Sequence, residues 1–173
     1  MSFKFETAYN QEAVTIMAKA LRKTIRKKHS TRSHILGVIV AVIAILLTLP
    51  IGDKEFTLNF KTIITWLAAL VIVGALVFED RLNGYIARKR MLPGLAKSSV
   101  TFSEDSYYSE TALGNSEFKY TNIIMLVESS DYFIFIFSPN HAQIYNKNSI
   151  TGGTMEEFRE FIKGVTKLEI HNI

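Results

Sequence analysis

Two long stretches without Lys, Arg, Asp or Glu constrain this chain more than any other feature. The first covers residues 33–52, in which Ile35 to Leu49 is almost wholly aliphatic, and the second covers residues 62–78. An α-helix rises 1.5 Å per residue, so about 20 residues cross the roughly 30 Å hydrocarbon core of a bilayer. The two stretches therefore predict a membrane hairpin joined by a short loop.

A pair of apolar helices can also form the core of a soluble protein. Such helices normally keep a polar stripe toward solvent, and neither stretch has one on any face. Neither span contains a charged residue that would indicate an ion path or transport site, so the hairpin is predicted to act as an anchor. Small residues that would let the two helices approach closely are Gly37, Ala41, Ala44, Thr48, Thr65, Ala68, Ala69, Gly74 and Ala75.

The net charge of +4 hides a division between the two parts of the chain. Residues 1–97 carry 15 Lys and Arg against 6 Asp and Glu, whereas residues 98–173 carry 5 against 10. Basic residues crowd the outer ends of the hairpin: Lys19, Arg22, Lys23, Arg26, Lys27, Lys28 and Arg32 before it, and Arg81, Arg88, Lys89, Arg90 and Lys97 after it. Because Lys and Arg near span ends stay inside the cell, both termini are predicted to be cytoplasmic.

The segment before the hairpin predicts a short strand followed by a helix. Residues 1–8 alternate between apolar and polar side chains around Phe3 and Phe5. The helix that follows becomes increasingly basic toward Lys28, and it either lies on the inner leaflet or simply extends the first span, the second interpretation being favoured. Nucleic-acid binding is not predicted, because no aromatic platform accompanies the basic run. The sequence leaves open whether residues 1–30 pack on the C-terminal part or on the membrane surface.

From Ser98 onward, short runs with strand character succeed one another, separated by turn signals. The runs are Ser99–Phe102, Tyr107–Thr111, Glu117–Tyr120, Ile123–Glu128, Tyr132–Phe137 and Ala142–Tyr145. Thr154 and Glu157 have the spacing of a capping box and predict a helix that ends near Gly164. The predicted fold class is α+β, with a two-helix transmembrane hairpin and a small antiparallel β-barrel or sandwich closed by a C-terminal α-helix.

These patterns divide the chain into four predicted parts. They are an N-terminal strand and basic amphipathic helix (1–32), the transmembrane hairpin (33–80, with spans at about 34–51 and 62–78), a basic linker (81–97) and a β-rich domain (98–168).

The spaced aromatic and small residues of the β-rich domain resemble a known family. They are Val100-Thr-Phe102, Tyr107-Tyr108, Phe118-Lys-Tyr120, Ile123-Ile124, Val127-Glu128, Tyr132-Phe133, Phe137-Ser-Pro-Asn-His-Ala142 and Tyr145-Asn-Lys147. This series is similar to the C-terminal domain of the YcxB-like proteins, small bacterial membrane proteins in which two spans precede a domain related to pleckstrin-homology (PH) folds. The resemblance implies a PH-like domain and a multi-pass protein of the bacterial inner membrane, and it implies no reaction.

No enzyme, cofactor or metal site is predicted. The four histidines lack metal-ligand spacing, no serine lies in a Gly-x-Ser-x-Gly elbow, and Gly152-Gly153 lacks the residues of a phosphate-binding loop. One candidate binding site remains, formed by polar residues beside two aromatic side chains at a turn and a strand end: Ser138, Asn140, His141 and Lys147. Ordinary turn chemistry is the alternative interpretation of these four residues.

Two functions are compatible with this outline. In the first, a membrane-anchored, non-enzymatic protein displays a cytoplasmic PH-like module that binds a protein or peptide. The net charge of about −5 on residues 98–173 then favours a basic partner over anionic headgroups. In the second, the hairpins self-assemble into a homo-oligomer that has no separate ligand. Besides the lipid bilayer, neither hypothesis includes a nucleic acid or a small-molecule substrate.

Overall fold

A computed structural model of the protein describes residues 2–50 and 58–173. Within these residues the helices are α1 (Gln11–Lys23), α2 (Lys27–Leu46), α3 (Phe60–Val77), α4 (Glu79–Lys89) and α5 (Met155–Thr166). The strands are β1 (Phe3–Ala8), β2 (Lys97–Phe102), β3 (Ser106–Thr111), β4 (Gly114–Lys119), β5 (Met125–Glu128), β6 (Tyr132–Ser138), β7 (His141–Asn146) and β8 (Ile170–Asn172). The last residue of the first predicted span, residue 51, and most of the loop that follows it lie outside the described residues.

The strands form two four-stranded sheets, with the orders β1-β2-β3-β4 and β7-β6-β5-β8. Neither sheet closes into a barrel in the described part of the chain, so the barrel form of the prediction is wrong. A 3₁₀ turn at Tyr120–Asn122 separates β4 from β5, and the second edge of β5 is occupied by β8 in parallel pairing. The second sheet is therefore mixed, because a strand missed by the sequence pattern, Ile170–Asn172, follows the C-terminal helix.

The strand at the start of the chain belongs to the sheet that follows the hairpin. β1 pairs antiparallel with β2 over its whole length, from Phe3 opposite Phe102 to Ala8 opposite Lys97. Its other edge is bonded by Thr151, whose backbone exchanges two hydrogen bonds of 2.9 Å with Lys4. The N-terminal strand thus packs on the C-terminal domain. The sequence alone left open whether it does so.

An aromatic core fills the space between the two sheets and α5. The buried members are Phe3, Phe5, Val100, Phe102, Tyr107, Tyr120, Ile123, Leu126, Phe133, Phe135, Tyr145, Phe158 and Ile162. Phe158 of α5 lies at the centre, with ring centroids 4.8 Å from Phe5 and 5.1 Å from Phe102. Edge-to-face pairs of this kind add about 0.5–1.5 kcal/mol each beyond the area that they bury. β1 and α5 are therefore fixed by the same aromatic cluster.

α1 covers the outer face of the second sheet. Its Ala13, Ala20 and Leu21 pack against Val127, Tyr132, Ile134, Ile136 and Ile144, on the side of that sheet away from the aromatic core. Asn10 caps the helix by accepting a hydrogen bond from the Ala13 backbone at 2.8 Å. Because protein covers its apolar face, α1 does not lie on a leaflet in the way that an interfacial amphipathic helix does.

α2 and α3 run side by side and are long and apolar enough to cross a membrane, by length and composition. Ala41 and Ala69 are buried in the pair, and Gly37 lies against the Leu76 side chain. Most of the larger side chains point outward, as at Ile35 and Leu70, which are 57% and 69% exposed. Only part of the predicted set of small residues therefore lies at the helix contact.

α4 continues from α3 into the region predicted as a basic linker, and it packs against α1. Gly84 is buried at this contact, where an added Cβ would lie 2.6 Å from Thr15 Oγ1 and 2.8 Å from Thr15 Cα. Arg22, in the last turn of α1, donates two hydrogen bonds to Asp80, in the first turn of α4, at 2.6 and 2.7 Å. α1 and α4, which flank the two apolar helices, are therefore joined by close packing and by a bidentate ion pair.

The α1–α4 contact predicts a difference between two helical glycines. In Gly84→Ala the new methyl group meets the Thr15 backbone, so we expect a loss of about 1–3 kcal/mol in the free energy of unfolding. In the control Gly74→Ala nothing lies within 4 Å of the new methyl group, so a gain of up to about 1 kcal/mol from helix propensity is expected. Thermal unfolding of the two full-length variants in detergent, followed by circular dichroism, measures both. Equal melting temperatures would contradict the close α1–α4 packing.

Candidate functional site

Three of the four predicted site residues lie together at the β6–β7 turn. Asn140 Oδ1 accepts a hydrogen bond from Arg26 at 2.5 Å, and the carbonyl of Pro139 accepts a second one at 2.7 Å. The His141 ring packs on Phe137 with centroids 5.0 Å apart, and Ser138 Oγ accepts from the Asn140 backbone. The β6–β7 turn therefore binds the segment between α1 and α2 through Arg26.

The fourth residue, Lys147, lies at the opposite end of β7. Six residues of extended strand separate it from His141, which is about 20 Å at 3.3 Å per residue. Its ammonium donates to Glu128 Oε1 at 2.6 Å and to the Ser129 carbonyl at 3.0 Å, and its side chain is 16% exposed. Lys147 is therefore not part of a common site with the turn residues.

Glu128 is the buried centre of a charged cluster that fixes α5 to the second sheet. Besides Lys147, it accepts two hydrogen bonds from Arg159, at 2.9 and 2.7 Å. Burial by itself would raise the pKa of the Glu128 carboxyl, but the hydrogen bonds from Arg159 and Lys147 outweigh it and lower the pKa. The carboxylate is thus ionised, and it holds one face of α5 in place.

The first turn of α5 is set by the predicted capping box. Thr154 Oγ1 accepts from the Glu157 backbone at 3.2 Å, and Glu157 Oε2 accepts from the Thr154 backbone at 2.8 Å, which confirms the prediction. Gly152, just before the helix, has a φ of +88°, and a Cβ there would collide with the Ser2 carbonyl. The two glycines therefore allow the chain to pass close to β1.

A shallow groove runs along the outer side of α5, with a volume of about 610 Å³. We call it the α5 groove, and its lining consists of Glu156, Glu157, Arg159, Glu160 and Phe161. Phe161 is half-buried and forms the apolar floor, with its ring 5.3 Å from Phe3 and 6.1 Å from Tyr120. The helix, β1 and the turn at Tyr120 together position this surface.

The α5 groove has a negative character. The three glutamates are exposed, and the pKa of Glu156 is lowered by hydrogen bonds from its own backbone and from Arg159. The Arg159 guanidinium is held by Glu128 and by Glu156, the latter at 2.8 Å, and the hydrogen bond that it donates to Glu128 raises its pKa. Its charge is thus committed to carboxylates, and the groove presents carboxylates beside an aromatic ring.

Two buried phenols share one hydrogen-bond acceptor. The hydroxyls of Tyr107 and Tyr145 both donate to Gln143 Oε1, at 2.9 and 2.6 Å, and burial raises the pKa of each. Neutral phenols sharing one acceptor act as a polar bridge between the sheets. Among the described residues, no three His, Asp or Glu side chains are placed to hold a metal ion.

The Glu128 cluster predicts how stability depends on charge and pH. Glu128→Gln leaves two partly buried cations without their carboxylate, so we expect a loss of about 3 kcal/mol in the free energy of unfolding at pH 7. The control Glu169→Gln removes an exposed partner of Lys163 and is expected to cost less than about 1 kcal/mol.

The sign of the pH effect follows from the lowered pKa of Glu128. Its stabilising contribution is present above the ordinary value of 4.5 and is lost as the pH falls through the lower pKa of the folded state. Denaturant unfolding at pH 7 and at stepwise lower pH should therefore show a smaller acid-induced loss in Glu128→Gln than in the native chain. Parallel losses in the two proteins would contradict the role of the cluster.

Comparison with known proteins finds one family that part of this domain resembles. Residues 102–162 match the YcxB-like protein family, and this segment runs from the end of β2 into α5. No curated protein matches the chain. The matched segment contains Glu128, Lys147 and Arg159 and the whole lining of the α5 groove. The resemblance predicted from the sequence is thereby confirmed as a match of residues 102–162 to the YcxB-like protein family.

Proposed function

We propose that this protein is a membrane-anchored, non-enzymatic adaptor whose cytoplasmic PH-like domain binds a basic segment of a protein partner in the α5 groove. The observation that carries this proposal is the combination, in one groove, of exposed Glu156, Glu157 and Glu160 with the half-buried ring of Phe161. The remaining features support the anchor, the side of the membrane and the class of partner.

Anchoring is supported by the exposed apolar surface of α2 and α3. Only 11% of the most apolar window of each helix is buried, whereas a core helix of a soluble protein would be mostly covered. Basic residues flank both outer ends of the pair, which favours cytoplasmic termini in a multi-pass protein of the bacterial inner membrane. The domain then lies at the inner face of that membrane.

A PH-like fold is supported by two sheets packed around a core that the C-terminal helix completes. A helix-lined groove on such a scaffold suits an extended or helical peptide, since main-chain and side-chain contacts can extend along α5. An anionic headgroup is disfavoured there, because the carboxylates repel it and Arg159 is already paired. A basic protein segment complements both the charge and the shape.

The spacing of the groove residues sets the pattern expected in the partner. Glu156 and Glu160 are four residues apart and lie on the same side of α5, so their carboxylates can contact two cationic side chains. Phe161, the next residue after Glu160, can take one apolar side chain to one side of those cations. The partner sequence expected from this geometry is a short basic segment that also contains an aliphatic or aromatic residue.

Peptide binding to the full-length protein in nanodiscs tests the proposal. The probes are a twelve-residue peptide of alternating Lys and Leu and its Glu and Leu counterpart, with fluorescence anisotropy as the measurement. We expect a preference for the basic peptide, and a loss of about fivefold in affinity for Glu156→Gln/Glu160→Gln at low salt, because each exposed ion pair contributes only weakly. The control Asp105→Asn/Glu110→Gln removes two exposed carboxylates, one in the turn between β2 and β3 and one on β3.

Two results would overturn the groove assignment. One is equal binding of the two peptides, and the other is an equal effect of the groove variant and the control variant. If the protein binds neither peptide and instead forms a defined oligomer in nanodiscs, the self-assembly alternative replaces the adaptor function.

A further inference from the structure

We propose that a second site, at the bend between α1 and α2, binds the phosphate of an anionic phospholipid. The site is a cavity of about 470 Å³ that lies between the bend and β8. We call it the bend pocket, and its lining consists of Arg22, Lys23, Thr24, Lys27, Ser30, Thr31, His171, Asn172 and Ile173. The lipid assignment rests on the membrane insertion proposed above, whereas it is independent of what binds in the α5 groove.

The bend pocket offers cations that the fold does not use. Arg22 is committed to Asp80 by two hydrogen bonds, and Ser30 donates to Glu79 at 2.9 Å. Lys23 and Lys27 are exposed, and within residues 2–50 and 58–173 neither takes part in an ion pair. They are therefore available to an anion from outside the molecule.

The lining of the bend pocket selects for negative charge. It contains no Asp or Glu side chain, unlike the α5 groove. The Thr31 hydroxyl and the His171 ring add hydrogen-bonding groups beside the two ammonium groups. A phosphate oxygen can accept from several such donors at once, so a phosphate group fits this set better than a neutral headgroup does.

The position of the bend pocket points to a lipid as the source of the phosphate. Thr31 precedes the first aliphatic residue of the span, Ile35, by four residues, or about 6 Å along the helix axis. A headgroup layer is roughly 5–7 Å thick on each side of the hydrocarbon core, and lysine side chains extend toward it. A span that enters the core at Ile35 therefore places Thr31 among the headgroups and Lys27 just above them.

The bend between α1 and α2 is packed against the second sheet and the β6–β7 turn. The site is therefore a pocket and not the exposed face of a helix that lies on the membrane. The apolar face of α1 is covered by the second sheet, and Arg26 fixes the bend to the Pro139–Asn140 turn. The lysines at the end of α1 and the start of α2 are thus held on one side of a fixed corner. A preformed arrangement of this kind binds its ligand with less loss of side-chain freedom.

Lipid titration of the full-length protein in a neutral detergent, followed by native mass spectrometry, tests the site. The probes are dioctanoyl phosphatidylglycerol, dioctanoyl phosphatidylcholine and glycerol 3-phosphate. We expect a preference for phosphatidylglycerol, and an affinity about 30-fold lower in Lys23→Gln/Lys27→Gln, or about fivefold for each ammonium–phosphate ion pair that is lost. The control Lys89→Gln/Arg90→Gln removes two exposed charges at the far end of α4 and should bind like the native chain.

Each contrary outcome overturns a different part of the proposal. Equal binding of phosphatidylglycerol and phosphatidylcholine, or an equal loss in the two double variants, would overturn the bend pocket as a specific site. If glycerol 3-phosphate binds as tightly as phosphatidylglycerol, the lipid assignment is overturned in favour of a soluble phosphate. Release of the native protein from membranes by carbonate would show that insertion itself is wrong, whereas retention without a phosphatidylglycerol preference would overturn this inference alone.

Discussion

The pairing of β1 with β2 is the interaction on which the rest of the structure depends. It joins a strand before the helical hairpin to a strand after it, so one sheet contains both ends of the hairpin. Closing so long a loop costs conformational entropy, and the burial of Phe3 and Phe5 in the aromatic core offsets that cost. Because the two strands share one sheet, any membrane that α2 and α3 cross must have both flanking segments on the same side.

The same pairing connects the two proposed binding surfaces. β1 carries Phe3 to the underside of Phe161, the floor of the α5 groove, and its chain continues into α1, which ends at the bend pocket. The acidic groove and the basic pocket are therefore connected through β1 and α1. Their opposite charges suit the different ligands that we propose for them, a basic protein segment for the carboxylates and a phosphate for the lysines.

Local patterns predicted much of the fold because they depend on nearby residues. Alternation around Phe3 and Phe5 predicted β1, the Thr154 and Glu157 spacing predicted the start of α5, and the charge-free stretches predicted two long apolar helices, which the structure contains. The pairing partner of β1 and the parallel β8 could not be derived in this way, since strand register over a long separation is decided by packing in the assembled core. Packing in the assembled core also decides whether the sheets close into a barrel, so the sequence pattern could not show that they stay open.

The candidate site was harder to predict than the fold. Lys147 follows β7 closely in sequence, yet the extended strand carries it about 20 Å from His141 and into contact with Glu128. Of the carboxylates in the α5 groove, the sequence pattern singles out only Glu157, as part of a capping box, and Glu157 does serve that purpose. What the sequence did not show is that Phe161 lies beside them against β1, since that contact exists only once both ends of the chain have met.

Disulfide trapping of β1 against β2 in native membranes tests this account most directly, and the chain has no cysteine of its own. Glu6 and Ser99 are opposite each other in the register, so we expect Glu6→Cys/Ser99→Cys to form an intramolecular disulfide on mild oxidation, detected as a linked peptide pair. Lys4→Cys/Ser99→Cys is two residues out of register and should remain reduced, because diagonal neighbours are about 7–8 Å apart. Failure of the in-register pair, or equal trapping of both pairs, would contradict the claim that the N-terminal strand completes the sheet.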